Sequence, residues 1–295
     1  MRVVAVDVDG TLLDSHHQIS QPTRAAVQAT QARGVSVVLC SSRCPGELKG
    51  ILLDLGLTAP TPFVAAQGGL TGRYDNAGRL QVEREHRLPL ASARAVVAAA
   101  AANGIAVNWY DGERWIASQL DAAVAEEARI VGHDPEVADP LAEAAPPHKL
   151  LLIAPGLRDD AFDGLLRRLP GDLAVHRSKA GYLEVTAAGV DKAVAFDQLC
   201  ATRGIEAGQR AAIGDGLNDL GLFATVATSV AMGHAPEEVR RQASLVTAGN
   251  DDHGAAKALE ALTRDRAAPS LGPGQQMRFA TERSGRRQRD EQGHC

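Results

Sequence analysis

Four apolar residues, Val3-Val4-Ala5-Val6, run without polar interruption into Asp7-Val8-Asp9-Gly10-Thr11. A short run with no polar alternation suits a strand covered on both faces, as in a parallel sheet. Comparable runs fall at residues 35–39, 63–66, 211–213 and 226–231. Helical patterns lie between them at 21–33, 46–55, 192–203 and 219–225, the first opened by a Ser20 cap with Pro22 in its first turn. Alternating β and α elements joined by short loops predict an α/β fold built on a doubly wound open sheet.

The middle of the chain reads differently. Residues 72–84 look like a hairpin turning at Asp75-Asn76-Ala77-Gly78, and residues 107–117 like a second one turning at Asp111-Gly112. Helical patterns at 90–103, 120–131 and 159–169 alternate with strands near 149–153, 173–176 and 181–186. Residues 85–188 are therefore expected to form an inserted α+β domain, leaving a discontinuous sheet domain of residues 1–84 and 189–263. From Arg264 to Cys295 the periodicity stops and seven Arg stand against four acidic residues, a composition expected to give a disordered basic tail.

Composition narrows the function classes. With 295 residues, 45% of them hydrophobic and 23% charged, the chain is long enough for two cores. A net charge of -5 and a pI near 6.0 give no electropositive footprint for nucleic acid. No apolar stretch is long enough to span a bilayer, and the run before Asp7 is too short for a secretory signal. The four cysteines form no Cys-x-x-Cys pair and no disulfide framework, so a reducing cytoplasm is the expected compartment. No oligomeric state can be read from the chain.

Two carboxylates one residue apart at a buried strand end repel each other unless a cation or a proton compensates. Asp-x-Asp-Gly on its own also fits an ordinary turn with a helix cap. What narrows the reading is that polar groups follow the other strands in order: Ser41-Ser42-Arg43, then Lys192 opening a helix, then Gly214-Asp215-Gly216-Leu217-Asn218-Asp219. In an open α/β sheet the carboxyl ends of parallel strands share one crevice, so these groups are expected to converge. Each suits a phosphoryl group. Asp7 is a candidate nucleophile, Asp9 a candidate acid and base, and Ser41 a hydroxyl donor. Backbone N–H groups near Ser42 and Gly10 can cradle phosphate oxygens. Lys192 offers a compact positive charge, while Asp215 and Asp219 complete an oxygen cage for Mg²⁺.

These segments, with Gly189-Val190-Asp191-Lys192 and the blocks Val230-Ala231-Met232-Gly233-His234-Ala235 and Asn250-Asp251-Asp252-His253-Gly254, resemble the haloacid dehalogenase (HAD) superfamily, specifically its Cof-like phosphatases with an α+β cap. The resemblance runs from about Arg2 to about Leu262. It implies a Rossmann-like core, a cap that chooses the substrate, and a Mg²⁺-dependent phosphatase working through an aspartyl-phosphate. It also implies that Asp7 attacks phosphorus, that Asp9 moves the protons, and that Ser41 and Lys192 orient the phosphoryl group. Mg²⁺ would be held by the Asp7 side chain, the Asp9 backbone carbonyl and Asp215, with Asp219 in or beside its shell; Asn218, Ser42 and Arg43 would stand near the phosphate. The implied substrate is a small phosphorylated metabolite, sugar phosphates among the options.

Departures from the family pattern are Ser41-Ser42-Arg43 where Thr-Gly-Arg is usual, Gln67-Gly68-Gly69 where Asn-Gly is common, and His234 in place of Asn. Ser42 in a glycine position raises the question of a positive φ. His16 and His17 read as solvated loop residues. Trp109, Tyr110 and Trp115 read as a satellite core of the insert, and Glu184, His176 and Arg177 as specificity candidates by position alone. A phosphosugar mutase using the same intermediate, and a non-catalytic binding module on this fold, stay open as alternatives.

Overall fold

The structure, a computed structural model, describes residues 1–57, 60–178 and 180–264; the tail expected to be disordered lies outside them from residue 265 on. The first stretch runs β1 (Val3–Val6), α1 (Gln21–Ala32), β2 (Ser36–Cys40), α2 (Pro45–Asp54), β3 (Pro62–Ala65), β4 (Leu70–Tyr74) and β5 (Leu80–Glu85). Next come α3 (Leu90–Ala101), β6 (Ala106–Asp111), β7 (Arg114–Ala117), α4 (Ala122–Val131), β8 (Glu136–Val137), β9 (Lys149–Ile153), α5 (Asp163–Leu166), β10 (Leu173–Arg177) and β11 (Tyr182–Ala187). The chain then returns through α6 (Lys192–Thr202), β12 (Arg210–Gly214), α7 (Leu220–Ala224), β13 (Thr228–Ala231), α8 (Glu237–Gln242), β14 (Leu245–Val246) and α9 (Gly254–Thr263).

Two sheets result among the described residues. The larger has the order β14-β13-β12-β1-β2-β3-β4-β5, with the first six strands parallel and the β4–β5 hairpin closing one edge antiparallel. Its central strands are wholly buried, as their unbroken apolar runs require. β1 lies between β12 and β2, so three strand ends bring Asp7, Ser41 and Asp215 to one edge. The smaller sheet has the order β10-β11-β9-β6-β7-β8. One of its faces packs Trp109, Leu150, Leu152 and Leu183 against α3; the other packs Tyr110, Trp115, Leu151 and Tyr182 against α4. All three aromatics of the 109–115 segment are thus core residues.

Local chemistry sets the helix ends. The Ser20 hydroxyl accepts from the Thr23 N–H and starts α1, while Asp121 caps α4, whose first residue, Ala122, lies two residues after the expected helix start at residue 120. The helix expected over 159–169 is the main departure: a short 3₁₀ turn, Asp159–Phe162, leads into a single α-turn, α5. Gly164 inside that turn and Pro170 shortly after it account for the brevity.

Gly68, at φ +102°, lies so close to the Asp191 backbone that a Cβ there would overlap the Asp191 carbonyl oxygen. This contact seats the start of α6, and hence Lys192, against the β3–β4 turn. Gly68→Ala should therefore destabilise the fold by at least the roughly 1–3 kcal/mol of backbone strain alone; a urea midpoint equal to that of the parent protein would contradict the contact.

Candidate active site

Asp7 continues the ladder of β1 by donating its N–H to the Ile213 carbonyl at 3.0 Å, and only then does the chain leave the sheet. Gly10 turns it, at φ +78°, in a place where a Cβ would overlap the Asp215 carboxylate. Glycine is required on both counts. Beyond the turn, Asn250 and Asp251 hold the following loop, Asn250 Nδ2 donating to the Leu13 carbonyl and Ser15 N–H to Asp251.

Lys192 is the hub. Its ammonium is 1% exposed and donates to Asp7 Oδ1 at 2.6 Å and Asp219 Oδ1 at 2.9 Å. The other Asp219 oxygen accepts the backbone N–H groups of Asp215 and Gly216, so this fully buried carboxylate ties Lys192 to the loop after β12. Asp215 accepts from the Thr11 hydroxyl at 2.9 Å, and His234 Nε2 lies 3.6 Å away. Burial would lower the Lys192 pKa, but Asp219 and Asp7 outweigh it and hold the ammonium protonated. Asp7 is pushed above the usual carboxylate range by burial and by Asp219, with Lys192 opposing; burial and then Asp219 push Asp215 the same way.

Asp7, Asp215 and Asp219 each offer an oxygen within 4.8 Å of the others. Three carboxylates face one ammonium, an excess of negative charge that a divalent cation relieves, and an all-oxygen donor set suits Mg²⁺. The residues fit that ion. The Asp9 side chain does not join this group: it turns the other way and takes a two-pronged contact from Arg43, Nε to Oδ2 at 2.9 Å and Nη2 to Oδ1 at 2.6 Å. Burial would raise its carboxyl, yet the Arg43 and His17 contacts prevail and hold it well below the usual range. Both histidines are exposed, as expected, and His17 Nδ1 lies 3.8 Å from Asp9, which places it at the rim of the site.

Ser41 is buried, and its hydroxyl accepts the Arg43 N–H at 3.0 Å. Ser42 is absent from the residues with positive φ, so the turn needs no glycine; the left-handed positions are Ala66 and Gln67 instead. Asn218 stays outside the carboxylate group, with Nδ2 3.5 Å from Gln67 Oε1. Two groups escape a reading by motif. Thr11 sits inside the first segment, where the motif gives it no role of its own. Lys149 donates to the Ser42 carbonyl at 2.6 Å from the other sheet, and its one sequence signal is a lysine heading a fully apolar strand.

With the geometry in hand, the comparisons are specific. A sequence model described as haloacid dehalogenase-like hydrolase matches residues 4–259. The 5-amino-6-(5-phospho-D-ribitylamino)uracil phosphatase YwtE of Bacillus subtilis is 26% identical over 290 residues, covering 89% of this chain and 98% of that protein. Phosphatase YwpJ of the same organism is 25% identical over 288 residues, covering 89% and 100%. A crystal structure of a haloacid dehalogenase-like hydrolase from Bacteroides thetaiotaomicron superposes with a TM-score of 0.79 at 26% identity, over 88% of this chain and 99% of that one.

The raised carboxyls fix a sign. Asp7 and Asp215 bind protons more tightly folded than unfolded, so without a divalent cation stability falls as pH rises above the ordinary carboxylate range. Mg²⁺ needs those ligands deprotonated, so its stabilisation should grow over the same interval. Melting curves with and without MgCl₂ should separate by several degrees near neutral pH and merge at about pH 4; a Mg²⁺ shift independent of pH would count against this site.

Proposed function

The chain belongs to the haloacid dehalogenase-like hydrolases, and from that premise we propose that it is a Mg²⁺-dependent phosphatase of small phosphorylated metabolites, acting through an aspartyl-phosphate on Asp7. The observation that carries this reading is the buried Lys192 bridging Asp7 and Asp219 beside Asp215.

Lys192 engages Asp7 Oδ1, so Oδ2 is the oxygen we assign to the attack on phosphorus. That bond forms as the bond from phosphorus to the leaving alkoxide breaks, and Asp9 supplies the proton the alkoxide needs. In the second step water attacks the aspartyl-phosphate while Asp9 takes its proton, releasing orthophosphate and restoring Asp7. The Arg43 pairing holds Asp9 ionised, the form wanted for the second step. For the first, a substrate phosphate entering beside Arg43 competes for the guanidinium and frees Asp9 to carry a proton. Ser41 donates to a phosphoryl oxygen, and Lys192 screens the nucleophile from the phosphate it approaches. Mg²⁺, held by Asp7, Asp215 and the Asp9 backbone carbonyl with Asp219 alongside, would supply positive charge against the phosphoryl oxygens.

We assign residues 85–188 as the cap and residues 1–84 and 189–263 as the core. The second sheet covers the strand ends that carry Ser41–Arg43, which favours a small ester over a phosphoprotein. A phosphorylated polyol or sugar fits this class, and the phosphoribityl compound for which YwtE is named lies within it.

Hydrolysis of p-nitrophenyl phosphate tests the proposal. Wild-type protein with Mg²⁺ should release phosphate, while Asp7→Asn, or chelation by EDTA, should cost at least about a thousandfold in turnover. Equal rates in the three reactions would remove both the nucleophile and the metal from the mechanism.

A further inference from the structure

β9 opens on a lysine where an apolar side chain would pack at less cost. Lys149 is 3% exposed, followed by the fully buried run Leu150–Ile153. Its stem leaves the smaller sheet and crosses to the larger one, where the ammonium donates to the Ser42 carbonyl at 2.6 Å. Two groups of its own sheet steady it: Glu184 on β11, with Oε2 at 3.7 Å, and the Tyr110 ring, with its centroid at 4.8 Å. Glu184 is as buried as Lys149, and its Oε2 has no hydrogen-bond partner. A charge held this way is retained for what it reaches.

What it reaches is the peptide between Ser42 and Arg43. The N–H of that peptide donates to the Ser41 hydroxyl, and the Arg43 side chain grips Asp9. One contact from the second sheet therefore joins the backbone bonds from Ser41 N–H to Val64, Gln67 N–H to Ser41 and Ala66 N–H to Arg43 in holding a turn that bears both a phosphate donor and the partner of the proton-transfer carboxylate. The next residue, Cys44, is fully buried in the aromatic cluster of Tyr110 and Trp115. A different polar link across this junction, Tyr74 to Glu113 at 3.0 Å, touches neither group.

We propose that Lys149, steadied by Glu184, is a positioning residue that sets the Ser41–Arg43 turn from the second sheet and so makes catalytic geometry depend on cap docking. The proposal rests on the phosphatase reading for its kinetic consequence, though not for its structural one.

The test compares wild type with Lys149→Met, the double variant Lys149→Met/Glu184→Gln, and Tyr74→Phe as a control that weakens docking without touching the turn. Lys149→Met strands the Glu184 carboxylate and lowers the melting temperature; the double variant removes that unpaired charge and recovers it. In both, kcat for p-nitrophenyl phosphate should fall about tenfold with KM changed less than about threefold, and amide exchange across residues 41–44 should quicken. Tyr74→Phe should retain wild-type kcat. A double variant with wild-type kcat and wild-type exchange would reduce Lys149 to a space-filler and overturn the proposal. If the wild type hydrolysed no phosphate ester, the phosphatase reading would fail, and exchange across residues 41–44 would still decide whether Lys149 orders the turn.

Discussion

Like-charge repulsion at the end of β1 governs this molecule. Asp7 leaves β1 while Asp215 and Asp219 both leave β12, two strand ends far apart in sequence whose carboxylates repel one another. Lys192 offsets that repulsion by spanning Asp7 and Asp219, itself 1% exposed and with Asp219 fully buried. Much nearby architecture serves that contact: Gly68 lets α6 approach, Gly214 leaves room for the Asp219 carboxylate, and Gly10 lets the turn pass beside Asp215. One ammonium against three carboxylates remains an incomplete neutralisation. Residual negative charge of that kind makes a cavity selective for a small dication and for an electrophile that such an ion accompanies.

The core is legible because its information is local. β1, β2, β3, β12 and β13 are short apolar runs that end at polar turns, and the parallel order follows from alternation with helices. The convergence of Asp7, Ser41, Lys192 and Asp215 is then a property of open sheets rather than of any one residue. Other features depend on tertiary partners that leave no periodic trace. Whether Asp9 faces the carboxylates or Arg43 is decided by a guanidinium 34 positions away. Lys149 looks in sequence like a strand-leading charge at the solvent edge; only the crossing of the second sheet over the Ser42 turn buries it. His17 is of the same kind, a loop residue whose place beside Asp9 is set by the bend at Gly10 and the grip of Asn250 on Leu13. The helix expected at 159–169 fails for a local reason, a glycine within the only turn that forms.

The two sheets divide the chemistry. The first gathers charge, and its strand ends have little apolar surface from which to discriminate among esters. The second buries side chains of mixed character behind the Ser42 turn, Tyr110, Lys149 and Glu184 among them.

Cys44 belongs to the larger sheet by connectivity and to the smaller one by packing. Its sulfur is therefore shielded by two bodies at once, whereas Cys40 is sealed within a single body. If the two sheets parted, Cys44 would lose the cover it takes from Tyr110 and Trp115, whereas Cys40 would keep its own within the core of the larger sheet. Labelling of Cys44 by a thiol reagent in the folded protein, faster than that of Cys40, would report such a separation.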